Sequence, residues 1–228
     1  MLKDCLILLH VKRTDTAIIP RIIQFGSWLQ IFSEHVKIVG IKQAYRDGKN
    51  YNVNHTALVY CENGVCKVFQ ANRDNNVHTL LLSDYLANTK AQIYASIHYD
   101  ATYTKESKEV LLKWINIYCK KVKYNIWLAF LAWRPVRKLF PIFFKNKRLD
   151  RHTLCSDIVI RLFEKVFLKD IKDFLATTQI SFFKENHRNA PWRIFFATCR
   201  KEYHDSRQNL TNTQIIDNKE DIINFLLK

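Results

Sequence analysis

The stretch NVNHTALVYCENGVCKVFQAN, residues 52–72, constrains this chain more than any other part of it. Two runs rich in β-branched and aromatic residues flank Asn63-Gly64, a pair favoured in a type I′ turn because both central positions need positive φ. A two-residue loop leaves one register: Glu62 opposes Val65, Cys61 opposes Cys66, Val59 opposes Val68, Ala57 opposes Gln70 and His55 opposes Asn72. Side chains alternate along a strand, so His55, Ala57, Val59 and Cys61 share a face with Gln70, Val68 and Cys66. His55 and Gln70 are diagonal neighbours on that face, within reach of long side chains.

The remaining pattern mixes helices and strands. Leu6–Leu9 is a short apolar run suited to a buried strand, and Gln92–His98 is a further strand candidate. Ile18–Phe32 carries apolar positions at near-helical spacing. Thr104 can cap a helix that has Glu106 and Glu109 near its start, Lys120 and Lys121 at its end, and an apolar stripe from Val110 to Val122. Ile126–Trp133 reads as a second helical stretch, ended by Pro135. A third fits Leu154–Phe167, with Thr153 as N-cap and Cys155, Ile158, Val159, Leu162, Phe163 and Val166 facing inward. Ile180–Phe183 and Trp192–Cys199 are compatible with closing strands. Lys201–Asn218 reads as polar and loosely held, and Asp217 can cap a short terminal helix. No repeat or linker composition divides the chain, so residues 1–200 are expected as one α+β domain, a small antiparallel sheet packed against helices, and 201–228 as a polar extension.

At 48% hydrophobic and 25% charged residues the chain has the composition of a globular protein, which excludes disordered, collagen-like and coiled-coil classes. Its length supplies a core without staples, and no Cys-x-x-Cys or Cys/His zinc spacing occurs. The six cysteines are therefore expected mostly as free thiols, with Cys61 and Cys66 filling a core layer instead of bridging. The formal charge of +15 points to an anionic partner. Ten cations and one acid fall within residues 120–151, interleaved with Tyr124, Trp127, Phe130, Trp133, Phe140, Phe143 and Phe144. Cations beside aromatic rings suit an anionic membrane surface, and equally a solvated face over a core. Nucleic acid is the weaker expectation, since charge is present without a recognition motif. The apolar window 126–144 is broken by Arg134, Pro135, Arg137 and Lys138, which excludes a simple spanning helix, and no export signal is visible. A cytoplasmic or membrane-peripheral location is expected, although a viral or phage protein can reach a cell envelope without a signal.

Chemistry centres on Cys155. A thiolate is stabilised by a helix N-terminus and by a neighbouring imidazole, and Cys155 can have both if His55 reaches it. An imidazole in that role needs its other nitrogen oriented, and the amide oxygen of Gln70 suffices. The plain alternative is a small core cysteine on a helix face. His152, three residues before Cys155, is the one rival base; the other histidines carry no metal-ligand spacing.

The order of these features resembles the circularly permuted NlpC/P60 group of papain-like cysteine hydrolases, the YiiX/YaeF-like proteins. The resemblance rests on Lys3-Asp4-Cys5-Leu6-Ile7-Leu8, then Asn54-His55-Thr56-Ala57-Leu58-Val59, then Val68-Phe69-Gln70-Ala71, and finally Leu154-Cys155-Ser156-Asp157, covering about residues 3–183. It implies a permuted papain-like fold with Cys155 as nucleophile, His55 as general base and Gln70 as the polar third member. Tyr124 and Ser156 are then oxyanion or substrate-binding candidates. The family often carries Glu where this chain has Gln70 and Asp157, so a neutral amide here stabilises imidazolium less than a carboxylate does. The implied activity is hydrolysis of an amide, ester or thioester, in a peptide crosslink or an acyl lipid, without metal or cofactor. The alternative is a catalytically silent scaffold that uses the 120–151 stretch to hold a membrane or macromolecule.

Overall fold

The computed structural model describes residues 5–12, 18–72, 76–99, 105–125, 152–153, 155–167, 194–195, 213–216 and 218–226. In chain order these form β1 (Cys5–Lys12), α1 (Ile18–Asn50), β2 (His55–Glu62), β3 (Val65–Asn72), β4 (Asn76–Leu81), α2 (Leu82–Asn88) and β5 (Gln92–Tyr99). Then follow α3 (Lys105–Lys121), β6 (Lys123–Tyr124), β7 (His152–Thr153), α4 (Cys155–Phe167), β8 (Thr213–Ile216) and α5 (Lys219–Leu226). Six strands make one antiparallel sheet in the order β4-β3-β2-β1-β5-β8, and β6 pairs with β7 in parallel. The α+β class expected from the sequence is what the protein has.

The hairpin forms in the expected register. Asn63 and Gly64 have φ of 51° and 80°, and Val59 pairs with Val68, Cys61 with Cys66 and Glu62 with Val65. The two cysteines correct the expectation placed on them. They are joined in a disulfide, with Cα atoms 4.1 Å apart, and both are half-buried. Directly opposed positions on a hairpin bring Cα atoms closest at a non-hydrogen-bonded pair, and this pair lies near the turn, with Cys66 packed at the edge of the core.

Both faces of the sheet are covered. Leu8, Leu58, Phe69 and Ala71 pack against Leu111 and Ile115 of α3 and Ile158 and Leu162 of α4. Leu9, Ala57, Val59 and Val68 pack against Leu82 and Leu86 of α2 and Ile222 of α5. A two-sided core is why His55–Tyr60 are buried at every position instead of alternately. Each fully buried Leu or Phe in these layers contributes about 1.5–3 kcal/mol.

Several boundaries differ from expectation. The helix expected to end at Phe32 runs on to Asn50, broken at Gly40, whose φ of 78° favours glycine. The second half folds back on the first: Trp28 meets Tyr45 edge-on at 6.0 Å, and Asn52 Nδ2 donates to the Gln24 carbonyl at 2.7 Å. Val110 of the expected α3 stripe is exposed. Helix α4 begins at Cys155, and the Thr153 hydroxyl, expected as its N-cap, donates to the Asp157 carboxylate at 3.2 Å. Ile194 and Phe195, expected in a strand, are helical, and the Phe195 ring packs 4.9 Å from Tyr94 and 5.6 Å from Tyr51. The segment expected to be loosely held contributes β8, with Ile216 opposite Ala95 and buried. Asn218 caps α5: its Oδ1 accepts the Asp221 N–H at 2.8 Å and its Nδ2 donates to the Asp221 carboxylate. The expected cap Asp217, the Thr104 cap, the Ile126–Trp133 helix, the Ile180–Phe183 strand and most of the basic 120–151 stretch lie outside the described residues.

Candidate active site

The hairpin register carries His55 and Gln70 together. Both are buried, at 4% and 3% exposure, and His55 Nε2 lies 2.8 Å from Gln70 Oε1. An amide oxygen can only accept, so Nε2 carries the proton and donates. The amide is oriented from its other end: Gln70 Nε2 lies 3.2 Å from His78 Nε2 and must donate to it. His78 in turn carries its proton on Nδ1, which donates to the Asn76 carbonyl at 3.4 Å. Three residues from three adjacent strands thus form one polar chain in which each donor has an acceptor. His78 escaped the sequence reading because the β3–β4 connection has no two-residue turn to set its register; an alternating partner for Gln70 one strand further on was the available signal.

Cys155 is the first residue of α4 and is 6% exposed. Its Sγ lies 3.9 Å from the carbonyl oxygen of Asn54, the residue before His55, so the thiol donates to the backbone at the mouth of β2. Asn54 is itself held there, its N–H donating to the Val11 carbonyl at 3.1 Å. The two groups approach from different layers. Helix α4 packs on the face lined by Leu58 and Phe69, whereas His55 shares strand parity with Ala57 and Val59 on the other face. What links them is the Asn54 carbonyl, one residue before His55.

The remaining predicted residues lie on α4, β6 and β7. Ser156 is fully buried in the first turn of α4, where backbone N–H groups lack helical acceptors. Tyr124 is half-buried, pairs with Thr153 across β6 and β7, and its N–H donates to Asn76 Oδ1 at 3.3 Å. Asp157 points to its own helix, 2.8 Å from Arg161 Nη2. Burial pushes its carboxyl above the usual carboxylate range, against the opposing pull of Arg161 and the Thr153 hydroxyl. His152, the rival base, sits in β7, three residues before the helix start. Among the described residues no group of three or more His, Cys, Asp or Glu side chains is placed to hold a metal ion.

Fold and site together define an α+β protein in which a buried imidazole is oriented by Gln70 on an antiparallel sheet and a helix-mouth thiol donates to the backbone carbonyl of the residue before it. No protein-family model matches the chain, and no curated protein is significantly similar to it. Among solved structures it is similar to the metalloprotein yiiX from Escherichia coli O157:H7, with a TM-score of 0.47 and 11% identity over 96% of this chain and 98% of that one. That protein bears the YiiX name met in the sequence resemblance; a likeness this loose says nothing about chemistry. Among the described residues no helix is long and apolar enough to cross a membrane.

Proposed function

We propose that this protein is a permuted papain-like cysteine hydrolase that cleaves an amide, ester or thioester through an acyl-enzyme intermediate. The reading is carried by the Cys155 thiol lying 3.9 Å from the carbonyl of Asn54, one residue from an imidazole whose Nε2 is held by Gln70. With Nε2 donating to the amide, Nδ1 is the nitrogen that can take the thiol proton. The thiolate then attacks the substrate carbonyl carbon, and the N–H groups at the start of α4, that of Ser156 among them, donate to the developing oxyanion, with Tyr124 as a second donor. Collapse breaks the bond to the amine, alcohol or thiol, which leaves with the proton from His55. Water, deprotonated by the same imidazole, attacks the thioester and releases the acid with Cys155 restored. A peptide crosslink or an acyl lipid is the substrate class, and the scheme calls on no metal or cofactor.

Iodoacetamide alkylation, mapped by peptide mass, tests the reading. Cys119 is an internal reference, because burial pushes its thiol up and slows its reaction, and Cys61 and Cys66 are blocked by their disulfide. Near pH 7 Cys155 is expected to react at least tenfold faster than Cys119, and His55→Ala to remove that advantage. Equal labelling of the two thiols, or a Cys155 rate indifferent to His55, overturns the proposal.

A further inference from the structure

The exposed face of α1 presents apolar side chains and cations together. Phe25, Leu29, Ile41 and Tyr45 are 60%, 41%, 69% and 52% exposed. Arg21, Lys37, Lys42, Arg46 and Lys49 are exposed on the same element, while its Asp47 is fully buried. Before Gly40, Arg21, Phe25 and Leu29 follow one another at four-residue spacing, and beyond it Ile41, Tyr45 and Lys49 do the same. Trp28 stacks 5.9 Å from Phe25 and 5.6 Å from Phe32 within the first half and meets Tyr45 of the second edge-on at 6.0 Å, so the rings form one platform across the break. Beside it opens a cleft of about 320 Å³ whose charged lining is Lys12, Arg21 and Lys49, with Phe25 and Trp28 as its aromatic wall and no acidic side chain. Lys12 donates to the Lys49 and Asn50 carbonyls at 2.9 and 3.0 Å, which fixes one cation in the cleft. Burial, and to a lesser degree the neighbouring Lys49 ammonium, lowers its pKa.

We propose that this face docks on an anionic lipid surface, the exposed rings and aliphatic chains seating at the headgroup boundary and the cations pairing with lipid phosphates. A neutral partner protein would leave five exposed cations facing no opposite charge, and a purely electrostatic contact would leave Phe25 and Ile41 without a use. This docking does not depend on the proposed hydrolysis.

Co-sedimentation of the full chain with phosphatidylcholine vesicles, with and without about 30% phosphatidylserine, tests this at about 0.1 M salt. Binding is expected to the anionic vesicles only and to fall steeply at about 0.5 M salt. Arg21→Glu with Lys49→Glu should weaken it at least tenfold, and Phe25→Ala with Ile41→Ala about fivefold or more. Lys105→Glu with Lys113→Glu on α3, the same charge change elsewhere, should leave it within about twofold. Circular dichroism checks folding, and Lys42→Glu with Arg46→Glu replaces any pair that fails to fold. Equal binding to neutral vesicles, no binding, or an equal loss from the α3 pair overturns the proposal. So does capture of a duplex oligonucleotide, in place of vesicles, with the same residue dependence.

Discussion

His35 and His55 are both buried, and each faces a side-chain oxygen. On α1, His35 Nδ1 lies 3.6 Å from Asp47 Oδ2, both side chains are fully enclosed, and Gln43 Nε2 donates to Asp47 Oδ1 at 2.8 Å. On the sheet, His55 meets the neutral Gln70 at 2.8 Å. A search for a histidine with a carboxylate partner would select the first pair, yet it spans the Gly40 break and ties the two halves of α1. The second has the weaker partner but stands at the first residue of β2, next in the chain to Asn54, whose carbonyl accepts from the helix-mouth thiol. A buried histidine pair becomes a candidate for catalysis through what lies at its free end, and the charge of its partner only tunes it.

The sharpest way to break this contrast is to remove each centre in turn. Cys155→Ala should abolish the fast-alkylating site and any hydrolytic activity, and His55→Ala should lower turnover by about 10²–10⁴-fold, read in single-turnover acyl transfer. Both variants should keep the melting profile within the range of ordinary core substitutions. Asp47→Ala should do the reverse: destabilise the fold by about 3 kcal/mol in urea titration, because it strips the partner from a buried group, while the folded fraction alkylates Cys155 at the wild-type rate. A loss of alkylation in folded Asp47→Ala would merge the two centres and undo the distinction.

How legible each centre was follows from the chain between its members. The fifteen residues from His55 to Gln70 contain one turn whose geometry Asn63-Gly64 dictates, so counting outward from it places the pair. The twelve from His35 to Asp47 contain Gly40, and a helical pattern does not announce that its chain will fold back there, so the pair stayed hidden. The disulfide was missed for a related reason: the register put Cys61 opposite Cys66, but compartment reasoning set the expected chemistry. Strand β8 was invisible because Thr213–Ile216 sits in a polar stretch, and only its pairing with β5 makes it a strand. Asn54 could not be read as part of the site at all, since it acts through its carbonyl and not its side chain.

Smaller effects sharpen the role of the amide chain. Gln70→Ala should slow Cys155 alkylation about tenfold, the worth of one hydrogen bond to a group that becomes charged. Gln70→Glu should restore the rate and extend the alkaline limb of its pH profile, because a carboxylate holds imidazolium to higher pH. His78→Ala should cost only about threefold, since it frees the Gln70 amide to rotate without removing it. His78→Gln, whose side-chain oxygen can accept from the Gln70 amide, should recover most of that. If His78→Ala costs as much as Gln70→Ala, the amide has no orienting role apart from His78 and the two act as a unit.

The smallest expected effect is on stability, and its sign separates α4 from the site it supports. Asp157 titrates above its ordinary value of 3.8 because burial penalises the carboxylate more than Arg161 and Thr153 favour it. The folded state therefore binds this proton more tightly than the unfolded one. The resulting stabilisation is complete below the unfolded pKa and is lost as pH rises through the folded pKa. Asp157→Asn should forfeit about 0.3–0.5 kcal/mol of i,i+4 pairing with Arg161 and should no longer lose stability across that window. Urea titrations of both proteins at a series of pH values upward from about 3.8 should show the variant gaining on the wild type as pH rises; other carboxylates cancel in the difference. A difference that stays flat, or runs the other way, means that the Arg161 pair dominates burial, and Asp157 is then a charged anchor at the start of α4 beside the thiol.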